Sequence, residues 1–173
     1  MNWTEMLKAE TEDAYRCADA LMATVEDGDL DWKPATGDNW MTTGQLLRHM
    51  VSACGAASKG FVTGDWGLPP DADPTEMSTE EMLPPAEKML AAESVAAARE
   101  GLAADKQVAL EMIEAAAERM DEPTPAPWDP RPISLGLRIL GMINHLNNHK
   151  AQLFYYLKLQ GRPVNTMHFY GMG

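Results

Sequence analysis

From Asp121 to Pro132 the chain reads D-E-P-T-P-A-P-W-D-P-R-P, and no helix can cross that stretch. A proline has no amide to donate, and its ring collides with the carbonyl four residues back. The next segment is of the opposite kind. From near Ser134 to Gly161 there is no proline, and Gly161 with Pro163 just beyond forms a helix stop. The segment is therefore a long helix that begins and ends abruptly. It carries two rows of polar groups. His145 and His149 lie four residues apart on one face, with Gln152 one turn later, and Asn144 and Asn148 form the adjacent row. Polar groups at that density need partners if the helix packs into a core.

Three more helices fit the remaining sequence. The first runs from about Thr4 to Val25, with Leu7, Thr11, Ala14, Ala18, Leu21 and Val25 on one stripe. The second starts at Thr42, where Thr42 and Gln45 match a capping box, and continues through Leu46, Met50, Ala53, Ala57 and Phe61. His49 falls on its inward side. The loop between these two helices holds Trp32 and Trp40, which are expected to cover one end of the core. A third helix is predicted from Pro84-Pro85 to about Met120, bent at Gly101, with Leu90, Ser94, Ala97, Gly101, Ala104, Val108, Met112 and Ala115 inward. The connection before it, from Thr63 to Pro85, is rich in proline and acid, with one short turn at S-T-E-E-M. A link of that length lets the second and third helices of a bundle run parallel, and places chain over one bundle end. The tail after Gly161 reads as irregular.

The expected fold is all-α, one domain over residues 1–173. Its ordinary hydrophobic content, 45%, fits a globular core. The formal net charge of −12 repels phosphate backbones and anionic lipid, which argues against nucleic acid and membrane surfaces as partners. Cys17 and Cys54 sit among small apolar residues in no metal or redox motif, and read as reduced core thiols. The first residues lack the apolar segment of a signal peptide, and no apolar run is long enough for a membrane helix, so the expected location is the cytoplasm.

Two histidines on one helix and one on another are the minimum for a three-histidine metal site in a bundle. His49, His145 and His149 are the candidate ligands. Neutral imidazoles leave the ion its full charge, and three of them leave a position open for water or substrate. Asn144, Asn148, Gln152 and Gln45 are candidates to hold the outer ring nitrogens. A zincin is excluded because Leu146, not glutamate, follows His145. A di-iron site is excluded because Met142 and Leu46 stand where bridging glutamates would precede His145 and His49. The site is thus expected to be mononuclear, with Glu93 or Glu111 within reach of the end of its pocket. His168 lies in the tail and is not counted as a ligand. No G-x-G-x-x-G, Walker loop or G-x-S-x-G is present, so nucleotide binding and serine hydrolysis have no support.

The pieces D-W-K-P, N-W-M-T-T-G-Q-L-L-R-H-M and H-L-N-N-H-K-A-Q-L-F-Y-Y-L-K-L-Q-G-R-P-V, with the short F-Y-G ending, resemble the DinB/YfiT-like superfamily in order and spacing. That resemblance implies an up-down-down-up four-helix bundle and carries the ligand role onto His49, His145 and His149. It also implies a homodimer and one divalent ion, zinc or nickel first, iron or manganese next. Members with known activity are similar to transferases or isomerases that use a low-molecular-weight thiol. The expected activity is therefore metal-dependent attack of such a thiol on an electrophilic small molecule. The alternative is a non-catalytic metal- or ligand-binding protein of the stress response.

Overall fold

The Asn2 side chain accepts the Glu5 amide, and Glu5 reaches back to the Asn2 amide, which opens helix α1, Trp3–Met22. The computed structural model describes residues 2–69, 74, 76–82 and 84–173. Every residue of the predicted first stripe is buried, from Leu7 to Val25. Thr42 and Gln45 form the capping box anticipated for α2, Thr43–Met50. Helix α3 is Gly55–Thr63 and a single turn, α4, is Thr79–Met82. The long helices α5, Val95–Ala115, and α6, Leu135–Leu159, complete the bundle, and α7 is Thr166–Phe169.

Cross-contacts fix the direction of each helix. Lys8 pairs with Glu114, Glu12 with Lys106 and Asp19 with Arg99, so α1 and α5 are antiparallel. Gly44 bonds Ala92, Gly101 abuts Val51, Asp105 receives the Gly55 amide and Arg119 reaches the Val62 carbonyl. Numbers rise together along both segments, so α2 and α3 run parallel to α5. Trp3 lies against Gly136 near the start of α6, and Arg16 holds the backbone at Tyr170 and Gly171 beyond its end, so α6 follows α1. The result is an up-down-down-up four-helix bundle, with α2 and α3 together making one arm.

The second arm is not the single helix its periodicity suggested. It breaks over residues 51–54, because Asp105 of α5 enters the bundle there and takes the Gly55 and Ala56 amides, both at 2.8 Å. Its second oxygen also accepts the Tyr15 hydroxyl at 2.5 Å. Burial holds the Asp105 carboxyl above its ordinary value, and these donors offset only part of that rise. Residue 55 must be glycine: a Cβ there would overlap the Asp105 carbonyl oxygen.

The third arm differs from expectation in start and in face. Ser94, not the Pro84-Pro85 pair, caps α5, and residues 86–88 form only a short 3-10 turn. The helix is continuous through Gly101, where a Cβ would meet Val51 Cγ1 at 2.7 Å. The buried positions are Ala98, Leu102, Asp105, Ala109 and Ile113, one residue on from the predicted stripe, and Leu90 is 76% exposed. A carboxylate in the middle of the true stripe hides it from a hydrophobicity pattern.

The proline-rich stretch forms a hairpin of β1, Pro123–Ala126, and β2, Asp129–Ser134, added to the all-α bundle. Arg138 of α6, buried, holds it by donating to the Thr124, Asp129 and Arg131 carbonyls and to the Asp129 carboxylate. The tail is likewise more ordered than expected, with Asn165 and His168 making a capping box for α7. Part of the long connection (70–73, 75 and 83) lies outside the described residues. The anticipated turn at S-T-E-E-M is α4, and the segment after it packs on the start of α2, through Asn39 to Ala86 and Gln45 to Ala86 and Met89. Cys17 and Cys54 are free and buried.

Candidate metal centre

Antiparallel packing of α2 against α6 brings His49 to the level of His145 and His149. The Nε2 atoms of His49 and His145 are 3.2 Å apart, and those of His145 and His149 are 2.8 Å apart. All three rings offer a nitrogen within 4.8 Å of the others, the one such cluster of His, Cys, Asp and Glu among the described residues. Tetrahedral ligands about 2.0–2.1 Å from one zinc-sized ion stand roughly 3.3 Å apart, close to the spacing found. Burial lowers the basicity of all three rings. His49 is pulled down to about 4, by burial first and then by its two neighbours. The imidazoles are therefore neutral at neutral pH, as ligation requires.

A chain of hydrogen bonds sets one tautomer. Tyr156 donates to the Met41 carbonyl at 3.0 Å, and the Gln152 amide nitrogen donates to the Tyr156 oxygen at 3.1 Å. The Gln152 oxygen is thereby turned toward His149 Nδ1, 3.1 Å away, and can only accept from it. His149 must then carry its proton on Nδ1 and present a bare Nε2 to the cluster. Trp32 and Trp40 meet the Tyr156 ring edge-on, with centroids at 5.3 and 6.1 Å, and cover this end of the core as anticipated.

The other anticipated supports lie elsewhere. Gln45 is committed to the Thr42 amide and to the Ala86 and Met89 carbonyls. Asn144 and Asn148 are exposed, and neither side chain is hydrogen-bonded among the described residues. Glu93 lines a separate cavity of about 450 Å³ with Arg48 and Val51, and Glu111 is exposed. His168 stays with its cap, and the Cys54 thiol, pushed up to about 12 by burial, belongs to the Tyr15–Asp105 cluster. Tyr156 was missed, although its signal was present: residues 145, 149, 152 and 156 share one helix face.

A cavity of about 280 Å³, lined by Lys33, Asn39, Trp40, Thr42, Gln45, Ala86 and Glu87, adjoins Trp40 at this end of the bundle. Among the described residues no helix is long and apolar enough to cross a membrane. The relay yields a direct test. Replacing Gln152 by leucine strips His149 of its acceptor, and divalent-metal affinity, read by chelator competition, is expected to fall about 10–100-fold. An unchanged affinity would show that the relay does not orient the ring.

A sequence model described as the DinB superfamily matches residues 10–153. No curated protein and no solved structure matches the chain.

Proposed function

For this chain, which belongs to the DinB superfamily, we propose a metal-dependent transferase whose His49, His145 and His149 hold one divalent transition-metal ion, zinc or nickel first and iron or manganese next. The observation that carries the reading is the convergence of three neutral imidazole nitrogens from two helices, one with its tautomer set by Gln152 and Tyr156. Such a donor set fits a borderline ion with a position left open. Bound there, the ion supplies Lewis acidity, which lowers the pKa of a thiol that reaches it and favours the thiolate.

The chain's own residues do the rest. Gln152 and Tyr156 hold the His149 ring, and Trp32 and Trp40 keep water from the Tyr156 end. The cavity beside Trp40 gives a small molecule room, with the Lys33 ammonium at its wall for an anionic group. The reaction is attack of a low-molecular-weight thiol on an electrophilic small molecule, carried out by a cytoplasmic homodimer. A formal charge of −12 weighs against nucleic acid as substrate. The second reading, a non-catalytic metal-binding protein of the stress response, draws on the histidine cluster's holding, among the described residues, no carboxylate to serve as a base.

Elemental analysis of untagged protein separates these from a plain bundle. About one equivalent of transition metal is expected in the wild type and none in His145→Ala. Turnover with a panel of small thiols and electrophiles then distinguishes enzyme from binder. Protein that takes up no metal after incubation with zinc, nickel, iron or manganese would sink both metal readings.

A further inference from the structure

The loop before α2 folds back under its own indole. Trp40 Nε1 donates to the Thr36 carbonyl at 2.8 Å. Gly37, at φ +88°, leaves room for the ring, since a Cβ there would lie 2.9 Å from that nitrogen. Asn39, at φ +58°, accepts the Ala86 amide at 2.8 Å and ties this loop to the segment that precedes α5. These two segments and the first turn of α2 wall the cavity of about 280 Å³ beside Trp40. Pockets for drug-sized ligands run from about 300 Å³ upward, so the occupant here is small. Gln45 in the wall lies one turn before His49, about 6 Å along α2 and within about 40° of the same line.

Most polar groups around the cavity are already engaged, and the remainder select the occupant. Both amide hydrogens of Gln45 go to carbonyls, of Ala86 and Met89. The Asn39 oxygen is held by the Ala86 amide, which leaves its NH2 group over. Thr42 Oγ1 accepts the Gln45 amide, which leaves its hydroxyl proton over. The Lys33 ammonium and the Glu87 carboxylate form no hydrogen bond or ion pair among the described residues, and Lys88, next to Glu87, is taken by Glu80. The wall therefore offers three kinds of donor, one of them a full positive charge, and one anionic acceptor. A plain anion would suit Lys33 but also face Glu87, and a plain cation would meet the reverse. A molecule that carries both charges a few bonds apart satisfies the whole wall: its carboxylate accepts several hydrogen bonds and its ammonium donates. Trp40, 38% exposed, adds apolar surface for the carbon between them.

We propose that this cavity is a subsite for the zwitterionic head group of an α-amino acid, with the carboxylate toward Lys33, Asn39 and Thr42 and the ammonium toward Glu87. It rests on the transferase reading, because it makes one of the two reactants an amino-acid derivative. The binding itself needs no metal.

Titration of the isotope-labelled full chain with S-methyl-L-cysteine, followed by NMR, tests it. That probe is a zwitterion with no free thiol for a metal to capture. Saturable shifts of the Trp40 indole and the Asn39 side-chain amide are expected. The N-acetyl derivative lacks the ammonium and the methyl ester lacks the carboxylate, and each is expected to bind at least about tenfold more weakly. Lys33→Met should lose the preference for acid over ester, and Glu87→Gln the preference for free over acetylated amine. Both positions are exposed, so the fold is kept. L-cysteine beside S-methyl-L-cysteine, on zinc-loaded protein, tells which reactant carries the head group. Tighter binding of L-cysteine assigns it to the thiol and equal binding to the electrophile, and either upholds the class. No saturable shift, or equal binding of the zwitterion and its two blocked derivatives, would overturn the subsite. A chain that takes up no metal yet prefers the zwitterion would sink the transferase and keep the subsite. One that takes up metal yet ignores the zwitterion would sink the subsite and keep the metal centre.

Discussion

Asp105→Ala is expected to lower unfolding stability by about 3–5 kcal/mol. Three donors, the Gly55 and Ala56 amides and the Tyr15 hydroxyl, point at this one carboxylate in the bundle interior. Alanine leaves all three without an acceptor, and each stranded donor costs on the order of 1–3 kcal/mol before water relieves part of it. The amides cannot turn away, because they open α3, and the side chain of its N-cap position, Cys54, makes no cap. In a chain of this length each kcal/mol moves the melting temperature by roughly 2–4 °C, so a fall of about 6–20 °C is expected by circular dichroism. Asp105→Asn keeps one acceptor oxygen but turns an amide toward donors, and should fall in between. A loss under about 1 kcal/mol in the alanine variant would mean that the break in the second arm is held by something else.

The second large effect is on metal. His49→Ala removes the one ligand supplied by α2 and leaves two imidazoles on α6, a pair any exposed helix can present. Total binding free energies of about 10–16 kcal/mol for four-ligand zinc sites correspond to roughly 3–4 kcal/mol per ligand. Affinity is therefore expected to drop about 10²–10³-fold, measured by titration against a chromogenic chelator. The fold should survive, because His49 is only partly buried and lies beside, not within, the row of Leu46, Leu47 and Met50. A variant that keeps wild-type affinity would remove α2 from the site and with it the proposed centre.

The histidine cluster was legible in the sequence because four-residue spacing is a local rule, and because His49 comes after a strong capping signal that sets its helix phase. The relay beyond His149 was half legible: Gln152 was identified, whereas Tyr156, on the same helix face, was not, its ring being mostly apolar and buried. Gln45 shows the limit of such reasoning. Its place near the site came from the helix, but its hydrogen bonds go to Ala86 and Met89, some forty residues distant in sequence. The break in the second arm was illegible for the same reason. Residues 51–54 contain no proline, and the interruption comes from Asp105 on another helix. The hairpin was hidden by its composition, since prolines weigh against a strand as strongly as against a helix.

Those same prolines protect the chain in a crowded solution. A two-stranded ribbon has two open edges, each a template on which another molecule could add a strand, the first step of aggregation. Pro123 and Pro125 on β1, and Pro130 and Pro132 on β2, occupy alternate positions. Having no amide to give, a proline within a paired strand belongs at the outward-facing position. Four of the ribbon's ten residues thus have no amide to offer an added strand. Arg138 takes up its carbonyls from within. A segment so poor in donors is a weak template for a third strand, and a safe one to expose while the long helices on either side of it find each other.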